Sequence, residues 1–168
     1  MIDFLIRRFV SNPENVNNLN TRNSYGNLAS GVGITINLLL FTIKLIAGLI
    51  TNSVSIIADA VNNLSDAGSS LIMIVSFKLS SRPADEKHPF GHARMEYLFS
   101  TVVGVIIIFV GAQLILESVD KIRNAEEVFF TLQSALILVV SIGLKLWLYF
   151  FYTKISKRIH SDIVKATA

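Results

Sequence analysis

The sequence contains no cysteine, which excludes disulfides and thiolate ligation of a metal within the chain and leaves the redox compartment open. Charge is scarce as well. Only 16% of the 168 residues are charged against 52% hydrophobic, and mean hydropathy is +0.56. A soluble domain of this size carries far more polar surface, so the composition specifies an integral membrane protein. The opening MIDFLIRRFV has a short apolar run followed by Arg7 and Arg8, but no small-residue cleavage site follows, so a cleaved signal peptide is not expected.

Long apolar windows fill most of what remains. A helix of about 20 residues crosses about 30 Å of hydrocarbon, and four stretches are that long: Leu28 to Ile50, Val54 to Leu79, Glu96 to Val119 and Val128 to Tyr152. The expected fold class is therefore an all-α membrane protein with four transmembrane helices present. Basic residues sit in the N-terminal segment (Arg7, Arg8, Arg22), after the second span (Lys78, Arg82, Lys87, Arg94) and after the fourth (Lys154, Lys157, Arg158, Lys165). The loop between the first two spans has none, so both ends and the central loop are expected in the cytoplasm. These charges flank spans rather than form one patch. No nucleic-acid partner is expected, and the rims suit anionic lipid in the bilayer. Residues 1–27 read as a polar, Asn-rich cytoplasmic segment. Its Phe4, Leu5, Ile6, Phe9 and Val10 lie either in the headgroup region or in a partly ordered tail.

Within the spans, helical spacing picks out faces. Gly33, Asn37, Lys44 and Gly48 mark a small or polar face of the first span that should pack inward. Gly104, Gly111 and Ser118 read as a close-packing seam on the third. The second span differs in kind: Ser55, Asp59, Asn62, Asp66 and Ser69 advance by three or four positions each time and draw a polar stripe down the helix. A carboxylate near the middle of a membrane helix costs about 2.5–3.5 kcal/mol, so it normally faces a protein interior or a water-filled path. Asn62 and Asp66 share one face, a turn apart, and read as half of a metal site or ion pathway. Asp59 is either an accessory ligand or the partner of Lys44 or Lys145 in an ion pair across helices. The serines and Asn63 read as interhelical hydrogen-bond glue.

The segment from Ser81 to Met95, SRPADEKHPFGHARM, gathers Asp85, Glu86, His88 and His92, with Glu96 just beyond. Pro89 and Gly91 disfavour a regular helix here, so this is not the two-histidine helix of a zinc protease. A turn that brings Asp85, His88 and His92 together would still offer imidazole and carboxylate to a borderline cation.

Together, SVSIIADAVNNLSDAGSS and the following RPADEKHPFGHARMEYL resemble the cation diffusion facilitator family of divalent-metal transporters. The resemblance runs from Tyr25 and Gly26 to the end of the chain. It implies a homodimer with six spanning helices and a cytoplasmic C-terminal domain, exporting metal in exchange for protons. It also implies a transport site with two ligands from the second helix, matching Asn62 and Asp66, and two from the fifth. Asp85, His88 and His92 match the family's auxiliary loop site, and Arg94 matches a basic position associated with the dimer's charge interlock.

Zinc exporters of the family usually have His or Asp where this chain has Asn62. Carboxylate and amide oxygens suit harder cations, and the Asn and Asp pairing looks like the manganese-exporting branch. Manganese is therefore ranked first, ahead of iron or zinc, with cobalt behind. Residues 154–168 are expected to be a cytoplasmic loop leading towards a fifth helix, and the chain stops before that helix's ligands. This reads as a fragment of a longer protein, with a truncated, non-transporting product as the alternative. No permanently bound cofactor and no catalytic residue is expected. The rival reading is a membrane-embedded enzyme with His88 and His92 on a catalytic metal and Glu86 or Glu96 as base. The expected location is the plasma membrane of a prokaryote, with the N-terminus in the cytoplasm.

Overall fold

Polar caps and apolar runs divide the chain into helices whose ends gather at two levels. The computed structural model describes residues 2–16, 18–51, 53–85, 88–123 and 132–168. They form α1 (Ile2–Phe9), α2 (Leu19–Ile50), α3 (Val54–Ser80), α4 (Met95–Arg123), α5 (Leu132–Ile159) and α6 (Asp162–Thr167), and no strand occurs among the described residues. Asn18 caps α2 by accepting from the backbone N–H of Asn20, and Ser53 and Ser161 cap α3 and α6 in the same way. α5 stops at His160, whose φ of 48° places it in the left-handed region that closes many helices.

The long helices run alternately up and down. α2 and α3 pack most extensively, α4 lies against α3 and α5 against α2, while α6 touches the ends of α3, α4 and α5. The N-termini of α2 and α4, the C-termini of α3 and α5, and both short helices therefore share one end, which is also the basic end. α2 is 32 residues long, about 48 Å at about 1.5 Å per residue, and so extends beyond the hydrocarbon thickness. The buried core lies towards this end: Ile6 and Val10 pack with Tyr25, Met73, Phe77, Phe151, Tyr152 and Ile163.

Several expectations change. α2 begins at Leu19, well before the apolar window, because the Asn18 cap and the buried Tyr25 and Gly26 extend the helix. Ile6 and Val10 belong to the core, while Phe4 and Phe9 stay exposed. Residues 154–168 are largely helical rather than a loop, since Ser161 starts α6 and Ile163 and Val164 are buried. Among the described residues, Gly104 and Gly111 do not form a packed seam: a methyl group added at either would meet nothing within 4 Å. The inward face of α2 does pack, with Gly33, Asn37, Lys44 and Gly48 all buried.

Among the described residues, three segments are long and apolar enough to cross a membrane: Leu19–Ile50, Met95–Asp120 and Ala135–Ile159. α3 has the length, at 27 residues, but its polar stripe dilutes its apolar character. Asn63 and Ser70 of that helix are buried among neighbouring helices. Exposed Val105, Ile108, Phe109, Val139 and Phe150 give α4 and α5 the apolar outer surface of an all-α membrane protein.

Candidate functional site

Asp66 lies near the middle of α3, and Asn62 is one turn before it. Both line a cavity of about 240 Å³ between α3 and α4, bounded also by Ser65, Ser69, Ile107 and Gly111. Asp66 borders a second cavity of about 150 Å³ with Asn37, Lys145 and Tyr152. There the Lys145 ammonium donates to the Asp66 carboxylate. The hydroxyls of Ser70 and Tyr152 lie 3.2 Å apart at the edge of the core, and Ser70 also donates to the Asp66 carbonyl at 3.1 Å. Packing thus fixes the α3 backbone on one side of the pair while the side chains border open space on the other.

Asp59 is held by Lys44, with Nζ 2.7 Å from Oδ2. Of the two lysines weighed for it, Lys44 takes Asp59 and Lys145 takes Asp66. Lys44 is buried, so its charge needs this partner.

The loop before α4 brings its candidate ligands together. Ligand atoms of Asp85, His88 and His92 all lie within 4.8 Å of one another. The positive φ of Gly91, 79°, allows the chain to turn so that His92 faces back. The Pro83 carbonyl is 3.2 Å from His92 Nδ1, and His92 Nε2 lies 3.6 Å from Asp85 Oδ2. His88 Nδ1 lies 3.2 Å from Asp85 Oδ1. The backbone N–H of His88, donating to Asp85 at 2.6 Å, holds that carboxyl below the usual carboxylate range, and its side chain adds to the effect. A carboxylate beside two imidazoles is a donor set that suits a borderline divalent ion.

Glu96 does not join this cluster. One of its carboxylate oxygens accepts from Arg22 at 2.6 Å and the other from the Ser161 hydroxyl at 2.5 Å, tying together α2, α4 and the start of α6. Glu86 lies outside the described residues. Arg94 is exposed just before α4. Sequence reasoning missed the Glu96 clasp and the pairing of Lys145 with Asp66. The available signals were opposite charges at one end of the bundle and a lysine inside an apolar run.

A profile of the cation efflux transmembrane domain matches residues 31–168. An uncharacterized transporter of Methanocaldococcus jannaschii is 33% identical over 132 residues, 79% of this chain and 47% of its own. Magnetosome protein MamM of Paramagnetospirillum magneticum is 31% identical over 141 residues, covering 82% of this chain and 43% of its own. The manganese efflux system protein MneS of Bacillus subtilis is 30% identical over 137 residues, covering 82% and 47%. No solved structure matches. The chain spans somewhat under half the length of these relatives. With a match over most of its length, the chain belongs to the cation efflux family through that family's transmembrane domain.

Proposed function

We propose that this chain is the membrane part of a divalent-cation exporter in which Asn62 and Asp66 are half of the transport site and manganese is the preferred cargo. The observation that carries this reading is the placement of the pair, one turn apart at mid-helix and facing a cavity between α3 and α4. α3 is the second of four membrane spans and holds the pair near the bilayer midplane. Asn62, Asp66 and Ser69 of its stripe border that cavity, where polar side chains are tolerated better than against lipid. The N-terminus and the basic end lie in the cytoplasm.

Cation from the cytoplasm meets Asp66 and Asn62 and is released on the opposite side as protons replace it. The chemistry supports this coupling, because a carboxylate must be deprotonated to bind metal and reprotonation favours release. Oxygen-only donors give up part of the preference that imidazole confers on zinc, and the relatives named as manganese efflux proteins agree with that ranking. Iron, zinc and cobalt follow manganese as cargo.

Asp85, His88 and His92 would hold a divalent ion at the loop. Arg94 belongs to the contact between two copies in a homodimer. Asp59 serves as the partner of Lys44 rather than as a ligand. The protein works as a transporter; the pairing of both Glu96 oxygens with Arg22 and Ser161 counts against Glu96 as a catalytic base.

In the full-length protein, Asp66→Ala should abolish manganese efflux from cells while the protein still inserts at normal levels. Undiminished manganese tolerance in cells carrying that variant as their only exporter would overturn the assignment.

A further inference from the structure

Asp66 borders two cavities, one shared with Asn62 and the other with Lys145 and Asn37. Three observations converge in the second. The Lys145 ammonium, carried by the apolar helix α5, is on the Asp66 carboxylate. Asn37, from α2, is only 2% exposed. Its amide N–H donates to the Gly33 carbonyl at 3.0 Å, while its Oδ1 is buried with no hydrogen-bond partner. A buried acceptor without a donor is unfavourable, and Asn37 borders the same small cavity as Lys145, which is already bound elsewhere.

We propose that Lys145 is the resident counter-ion of the transport carboxylate: its ammonium occupies Asp66 when cargo is absent, and moves to Asn37 Oδ1 when a divalent cation takes the carboxylate. The inference rests on Asp66 being a cargo ligand. No bond is made or broken and the lysine stays charged throughout; one ionic contact replaces another. Two consequences follow from the charges. The empty carboxylate never stands uncompensated in the membrane, which would be costly. Cargo binds only by displacing a tethered competitor, so affinity falls and release becomes easier. The cation thereby shifts the lysine between two positions through its own preference for one of them. Lys145 is accordingly a positioning residue for the carboxylate, and Asn37 is the acceptor that limits the cost of displacing it.

The test uses the full-length protein with manganese as probe, and with His88→Ala and His92→Ala in every variant so that loop binding does not contribute. Equilibrium binding is read from the electron paramagnetic resonance signal of free Mn(II), and transport from initial rates in proteoliposomes. Lys145→Met, which keeps the length and removes the charge, should tighten binding by about fivefold, the scale of a partly exposed ion pair. KM and kcat should fall together as release slows. Lys145→Arg, retaining the charge, should restore both towards the parent.

Asn37→Leu should weaken binding by about threefold, the scale of one hydrogen bond, but should have no effect when combined with Lys145→Met. That dependence distinguishes a receiving acceptor from a residue that only packs. Unchanged or weaker binding in Lys145→Met, in protein that elutes as a single species, would overturn the proposal, as would additive effects of the two substitutions. Parental binding and transport in Asp66→Ala would instead remove the ligand assignment on which it rests.

Discussion

Substituting Gly33 by alanine tests how the bundle holds the site. A methyl group at Gly33 would collide with the Tyr152 hydroxyl, and would lie 2.6 Å from Ser70 Oγ and 3.0 Å from Tyr152 Cζ. α2, α3 and α5 meet at this point, one turn from Asn37 and Asp66, and none can move without disturbing the core. Overpacking of this kind costs about 1–3 kcal/mol. Removing both hydroxyls by Tyr152→Phe with Ser70→Ala loses the 3.2 Å contact between them and the 3.1 Å donation of Ser70 to the Asp66 carbonyl, each worth about 0.5–1.5 kcal/mol. It removes the two closest obstacles to the new methyl and leaves the ring at 3.0 Å, so in that background Gly33→Ala should cost less than about 1 kcal/mol. The assay is reversible unfolding in mixed micelles with increasing SDS. It can be followed by the single tryptophan, Trp147, which stacks on Phe151 at a centroid separation of 5.3 Å. Effects that add to within about 0.5 kcal/mol would mean the substitutions do not share a contact, and a neutral Gly33→Ala would refute the close three-helix junction.

The other predictions concern the site and the basic end. Asn62→His or Asn62→Asp should raise the ratio of zinc to manganese transport in vesicles, because imidazole or a second carboxylate restores the donors that zinc exporters of the family use. An unchanged ratio would place selectivity elsewhere. Glu96→Gln should lower unfolding free energy by about 1–3 kcal/mol, towards the lower end because the Arg22 side chain is 34% exposed. Adding Arg22→Met should recover part of that loss by removing the stranded charge. A full loss in the double variant would assign the effect to packing. Asp3 holds α1 against α5 through Lys154, at 2.8 Å, and that hydrogen bond keeps its carboxyl below the ordinary value of 3.8. A depressed carboxyl contributes above its unfolded pKa and loses the contribution as pH falls through its folded one. The pair is exposed while Ile6 and Val10 also anchor this segment in the core, so a spin label in α1 should stay immobilised at neutral pH and gain mobility only as acid protonates Asp3, below its ordinary carboxylate range. Release near neutrality would show that another group controls docking.

Much of this was legible in the sequence. The all-α class and the polar stripe of α3 follow from composition and period, because backbone hydrogen bonds must be satisfied within each span and the spacing fixes which residues share a face. The closeness of Asp85, His88 and His92 was also expected, since few residues separate them and Gly91 permits the turn. The clasp of Glu96 with Arg22 and Ser161 was not, because those residues are 74 and 65 positions away and no local pattern links them.

The sequence by itself determined an all-α membrane protein with a carboxylate and an amide at mid-helix on one face. Only the tertiary structure decided which charge meets which: Lys44 takes Asp59, Lys145 takes Asp66, and Asn37 keeps an oxygen unpartnered beside them. Local spacing fixes directions along a single helix. The partner of a charge depends on the order and rotation of neighbouring helices, which the packing of Gly33, Tyr25 and Phe77 against their neighbours sets.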